Sequence, residues 1–266
     1  MERDLFRAVF LRNLHSQSRS AKGVSDTSVS ATKKPLLITG EALAAKVREN
    51  TELLAEFVWQ RGNSDHRRHP KVTFMHTPDA VMLGEVANQC NDIVNDGLQD
   101  LAVYDDARKG VERASWRACH AMVAPNDGLF DVNRRFRVWQ PKYADPAIAL
   151  HEIGAAMKLF DCVLAARMVL ACDAGTWEAA AEALAYADHM MDGRIHPWAD
   201  GNARTTTALI MYLALALFLR KEHERLPVFR DRKTHLSTIE DLPAHTDYYK
   251  SIMTPVAEIK SEMLVL

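Results

Sequence analysis

The chain has 266 residues, 48% of them hydrophobic and 26% charged, enough for one large domain or two small ones without stapling. Lys and Arg total 33 against 35 Asp and Glu, a net charge of −2 that argues against a surface built mainly for the nucleic-acid backbone. The longest apolar run, Ala208 to Leu219, has 12 residues, short of the ~20 that a membrane span needs. Cys90, Cys119, Cys162 and Cys172 make no CxxC pair and read as buried reduced thiols.

Residues 1–35 differ from the rest. Met1 to Leu14 spaces Leu5, Phe6, Val9 and Phe10 along one side of a short amphipathic helix. Ser16 to Ser30 then holds six serines among fifteen residues and almost no large apolar side chains. Such composition buries too little surface to offset its ordering entropy. Residues 1–35 are therefore expected to form a disordered tail, with an export or organelle signal as the alternative reading. Residues 36–266 are expected to form a single domain.

Helical signals dominate from Pro35 onward. Leu43, Val47, Leu54, Phe57 and Val58 recur at helical spacing after Thr39, and Gly62 is the expected stop. Thr77-Pro78-Asp79 opens a helix that runs to about Asp96, and a further helix covers about Asp105 to Val123. Phe130, Val132, Phe136, Val138 and Tyr143 alternate with polar residues, among them Arg134, Arg135 and Arg137, which predicts a small β-hairpin. Asp145-Pro146 starts a helix ending near Cys172, and Gly175-Thr176 caps another from Trp177 to about Asp192. A loop over Ile195–Asp200 leads into a last long helix, about Asn202 to His223. The fold class that follows is all-α, a helical bundle carrying one β-hairpin.

The stretch Ile195–Thr207 reads IHPWADGNARTTT. It is a loop entering a helix N-terminus, where backbone N–H groups point outward and attract anions, phosphate above all. Gly201 allows close backbone approach, Asn202 can donate from its amide or cap the helix, and Arg204 in the first turn can reach phosphate with two parallel donors. Asp200 is placed to hold Mg²⁺ bridging phosphate oxygens, and His196 could take a proton from an incoming hydroxyl at neutral pH. A loop and an ordinary helix cap would explain His196 or Asp200 taken singly. They do not explain four role-compatible residues within nine.

This stretch resembles the signature of the Fic (filamentation induced by cAMP) family, H-P-F-x-[DE]-G-N-G-R-x-x-R, standing here as His196-Pro197-Trp198-Ala199-Asp200-Gly201-Asn202-Ala203-Arg204-Thr205-Thr206-Thr207. His189 and Ile195 also match common family positions, and the hairpin precedes the signature at the spacing of the family's flap. The resemblance covers roughly residues 77–232. It implies a Fic-type bundle that transfers a nucleotidyl group, AMP from ATP in most members, to a hydroxyl of a target protein. In that scheme His196, Asp200, Asn202 and Arg204 are catalytic and Asp200 binds Mg²⁺. Gly201, Asn202, Ala203, Arg204 and Thr205 hold nucleotide phosphate. Arg134, Arg135, Phe136, Arg137 and Val138 of the flap dock the target segment as an added strand. ATP use without a P-loop fits, since GxxxxGK[ST] does not occur. The implied setting is the cytoplasm, or a host cell for a secreted effector.

Three positions depart from the pattern. Trp198 replaces Phe, and Ala203 replaces Gly. Thr207 replaces the final Arg, which in the family grips the terminal phosphate. That loss removes a charge-assisted clamp, about 1.5–3 kcal/mol per bond; Arg194 or Lys221 nearby could compensate. The family's inhibitory motif, [ST]-x-x-x-E-[GN], has only a partial match at Thr254 to Glu258. A divergent member could therefore use another donor: UTP, phosphocholine, a bare phosphate or a nucleotide sugar. It could also act on a small-molecule acceptor, or be an inactive Fic-fold interaction protein. His66 and His69 are read as a solvated basic loop rather than a metal pair.

Overall fold

The computed structural model describes residues 2–18, 39–66, 74, 83–96, 148–198, 201–218, 225–229 and 241–263. Helices hold 87% of the described residues, so the class is all-α. In chain order they are α1 (Arg3–Ser18), α2 (Thr39–His66), α3 (Leu83–Asn95), α4 (Ile153–Ala174), α5 (Trp177–Asp188), α6 (Asn202–Phe218), α7 (Leu242–Ile252) and α8 (Val256–Met263). A 3₁₀ turn, Leu150–Glu152, leads into α4, and a π-helix, His189–Ile195, extends α5. Among the described residues, no helix is long and apolar enough to cross a membrane.

The apolar run that is too short for a membrane becomes the hub of the bundle. Residues Ala208 to Leu215 of α6 are fully buried, and α1, α2, α3 and α5 pack around them. α2 reaches α6 closely enough that a Cβ on Gly62 would lie 2.9 Å from Leu215 Cδ2. Gly62 is thus not the stop expected of it: α2 runs on to His66, and the missing side chain admits Leu215. Polar ties fix the same interface. Tyr212 Oη donates to Asp65 Oδ2 (2.9 Å), and Arg61 Nε lies 3.0 Å from that oxygen. Burial and the Asp65 carboxylate hold the Tyr212 hydroxyl well above the usual tyrosine range.

Local chemistry explains the helix ends. Thr176 Oγ1 accepts from Ala179 N–H (3.3 Å) and opens α5, while Gly175 closes α4 in the left-handed region (φ 68°), its N–H on Ala171 O. Asp161 of α4 accepts from Gly84 N–H (3.0 Å) at the start of α3, and Asn50 of α2 donates to Asp96 O (2.8 Å) just past its end. Asp241 caps α7 through Ala244 N–H, with Pro243 in its first turn.

The N-terminus overturns part of the tail expectation. α1 is a packed helix, with Phe6 and Phe10 fully buried and Leu5, Val9 and Leu14 nearly so. The apolar side formed by Leu5, Phe6, Val9 and Phe10 is a core face, and burial repays the ordering entropy. Arg3 pairs with Glu56, Arg7 with Glu52 and Lys260 with Glu2 across the rim. Asn13 is buried and closes a long-range bridge: its Nδ2 donates to Pro227 O (2.8 Å), and its Oδ1 accepts from Phe229 N–H (2.9 Å).

The C-terminal part carries structure that hydrophobic periodicity did not announce. Strands β1 (Arg225–Pro227) and β2 (Met253–Pro255) pair antiparallel, Leu226 opposite Thr254. α7 lies along α5. The helix over 105–123, the hairpin from Phe130 to Tyr143 and the opening residues 77–82 fall outside the described residues. The thiols differ from the buried reading in part: Cys90 is buried, Cys172 half-buried and Cys162 exposed. Cys162 is one helical turn on from Leu159 of α4, which is 65% exposed.

Candidate active site

The stretch singled out in the sequence sits where three elements converge: the π-helix, the start of α6 and one side of α3. The wide turn of the π-helix ends at His196, the only non-glycine residue with positive φ among the described residues (φ 46°, ψ 61°). Its N–H is tied to Met191 O (2.9 Å). Such a conformation costs a β-carbon residue on the order of 1–3 kcal/mol and clusters at functional sites.

The ring of His196 is held as tightly as its backbone. Nδ1 lies 3.1 Å from Asp192 O, four residues back. A carbonyl only accepts, so in the neutral ring Nδ1 carries the hydrogen and Nε2 carries the lone pair. The Asp192 carboxylate stands 3.8 Å from the same Nδ1. The side chain of His196 keeps 19% of its surface open.

The next turn is closed by Asn202. Its Oδ1 accepts from Trp198 N–H (2.9 Å) and its Nδ2 donates to Trp198 O (2.7 Å). Asn202 is buried, and this closure ties Trp198 to the first turn of α6. The indole of Trp198, 1% exposed, anchors the loop, its Nε1 donating to Asn88 Oδ1 on α3 (3.3 Å). Gly201 follows at φ 81°. A Cβ there would lie 2.7 Å from Val94 Cγ1 and 3.3 Å from the Nδ2 atoms of Asn91 and Asn95. Only glycine meets both the backbone angle and the approach of α3.

Thr205 N–H bonds Gly201 O (2.9 Å), so residues 202–204 form the first turn of α6. Arg204 lies half-buried in this first turn and Ala203 beside it is equally half-buried. Thr205, expected to contact phosphate, lies inside the helix packing. Its N–H is used inside the helix, its hydroxyl accepts from Asn91 Nδ2 (3.0 Å), and the residue is fully buried. Thr207 is fully buried too and donates to Ala203 O (2.9 Å), so no long side chain projects where the signature has its final Arg. Arg194 is exposed.

Asp200, Lys221 and the whole flap set, Arg134, Arg135, Phe136, Arg137 and Val138, lie outside the described residues. Among the described residues, no group of three or more His, Cys, Asp and Glu side chains could hold a metal ion.

Sequence reasoning missed three asparagines. Asn88, Asn91 and Asn95 form one stripe of α3 facing the signature, and Asn95 Nδ2 donates to Asn91 Oδ1 (3.1 Å). Their i, i+3, i+7 spacing inside an amphipathic helix was the available signal, because asparagine is a poor helix former and repays its presence there only through its amide. His189 is a packing residue of the π-helix, as its helical setting suggests, and meets His245 of α7 edge-on. No family model, curated protein or solved structure matches this chain.

Proposed function

We propose that this chain is a Fic-type transferase that moves a nucleotidyl group, AMP from ATP in the first instance, onto a hydroxyl of a target protein. One observation carries the reading: His196 is held in a left-handed turn with Nδ1–H committed to a backbone carbonyl, directly before the N-terminus of a buried helix that bears Arg204. A base next in sequence to an anion-binding helix start suits transfer of a phosphate-containing group.

Each residue then has a task. Nε2 of His196 takes the proton of the acceptor hydroxyl. The amides of residues 202–204 meet negative charge developing on the transferred phosphate, and Arg204 clamps the neighbouring phosphates. Gly201 and Asn202 keep the turn in one shape, so that little reorganisation is left to the reaction itself. Mg²⁺ characteristically binds through one or two carboxylates and substrate phosphates, and Asp200 is the carboxylate assigned to it. When bound, the ion would neutralise phosphate charge. The flap residues Arg134 to Val138 are assigned to the target segment.

Thr207 favours a second reading of the donor. With a buried hydroxyl in place of a guanidinium, the site lacks the clamp that grips a γ-phosphate, which suits a donor held by other groups, such as a phosphocholine or sugar nucleotide. A screen with α-labelled nucleotides, Mg²⁺ and lysate, run beside His196→Ala, tests both. Label on a protein band that vanishes in the variant supports transfer and names the donor. Label on a metabolite moves the acceptor to small molecules. No transfer and no nucleotide binding by calorimetry leaves an interaction protein on a Fic-like scaffold.

A further inference from the structure

We propose that Asp192 is a positioning residue for the His196 base, its carboxylate stabilising the imidazolium that forms when the acceptor proton is taken. The inference rests on the transferase reading and assigns a role that the Fic signature does not contain.

The π-helix makes the contact. Its wide turn brings residue 192 under residue 196, with the carbonyl 3.1 Å and the carboxylate oxygen 3.8 Å from the same ring nitrogen. In the resting state the carbonyl is the acceptor and sets the tautomer. During transfer the hydroxyl proton moves to Nε2, the hydroxyl oxygen bonds to the α-phosphorus, and the bond from that phosphorus to the leaving pyrophosphate breaks. The electron pair of that bond leaves with the pyrophosphate. The ring is now a cation with a carboxylate 3.8 Å from its Nδ1–H, an attraction that a neutral ring does not feel. Stabilisation that appears only as charge develops lowers the barrier rather than tightening binding. Both side chains are only partly open, at 19% and 31%, so solvent screening is reduced but not absent.

The test uses full-length protein carrying Asp192→Asn or Asp192→Glu, with steady-state transfer from the donor found in the screen. Asp192→Asn keeps the shape and removes the charge. It should lower kcat about tenfold or more while donor KM stays within about twofold. Asp192→Glu should recover part of kcat. Thermal unfolding run in parallel separates a damaged fold from a damaged site, and the Glu variant carries the test should the Asn variant melt early. A wild-type kcat in Asp192→Asn, a change confined to KM, or a Glu variant as slow as the Asn variant overturns the role of Asp192 and leaves the transferase reading standing. A wild-type protein that transfers nothing in the His196→Ala comparison removes both.

Discussion

The Nδ1 atoms of His189 and His245 lie 3.4 Å apart, their rings edge to face with centroids 4.9 Å apart, and this contact joins the π-helix that leads into His196 to α7. His245 Nδ1 is also 3.3 Å from Asp241 O, which only accepts, so in the neutral ring that nitrogen carries the hydrogen. Next to it, Tyr249 Oη donates to Asp188 Oδ2 (2.7 Å) between buried residues. α7 thus holds the junction of α5 and the π-helix.

This contact makes stability depend on pH in one direction. Burial foremost, then His245 and Arg194, hold His189 below the usual histidine range, against the pull of Asp188 and Asp241. The native state keeps His189 neutral where the unfolded chain already takes a proton. Stability is therefore complete above about pH 6.5 and falls as pH drops below it. Denaturant unfolding between pH 7.5 and 5 should show this decline, and His189→Asn should flatten it. Equal slopes for the two proteins would exclude the contact as the cause.

Gly201→Ala should destabilise the fold by about 2–4 kcal/mol, the sum of left-handed backbone strain and collision with Val94. Adding Val94→Ala should return the steric part and leave the backbone part. Chemical denaturation of the single and double variants separates the two, and a double variant no better than Gly201→Ala would place the whole cost in the backbone.

Asn202→Ala should remove both hydrogen bonds to Trp198 and leave its buried backbone groups unmet, a loss of about 1–3 kcal/mol per group. Transfer should fall more steeply than stability, because the turn also orients His196. A variant with wild-type turnover and lowered melting temperature would confine Asn202 to packing.

Phe10→Ala should lose about 3–5 kcal/mol as a core truncation, whereas Arg7→Ala, which breaks an exposed pair with Glu52, should stay within about 0.5 kcal/mol. If Phe10→Ala melts like the wild type, α1 is not part of the core.

The helices from α2 to α6 were legible because their apolar residues recur with the helical period and their ends carry Thr176, Gly175 and similar caps. The stretch from His196 to Thr207 was legible because His196, Asp200, Asn202 and Arg204 fall within nine residues at a helix start. α1 was half-legible: its apolar side was visible, yet the serines behind it read as one tail, and nothing local says that its partners are Pro227 and Phe229, over 200 residues away. β1 and β2 are too short for alternation to register. The π-helix has no residue pattern of its own, and the approach of Asp192 to His196 depends on it. Gly62 shows the same limit in reverse. A breaker by propensity is a contact by packing, because tertiary context outweighs about 1 kcal/mol of helix preference.

The bridge from Asn13 to Pro227 and Phe229 also sets an order of assembly. α1 is made before α6 and β1, so the bonds of Asn13 close only once the residues near 227 have been synthesised. α1 therefore reaches its final seat only when these distant partners are in place.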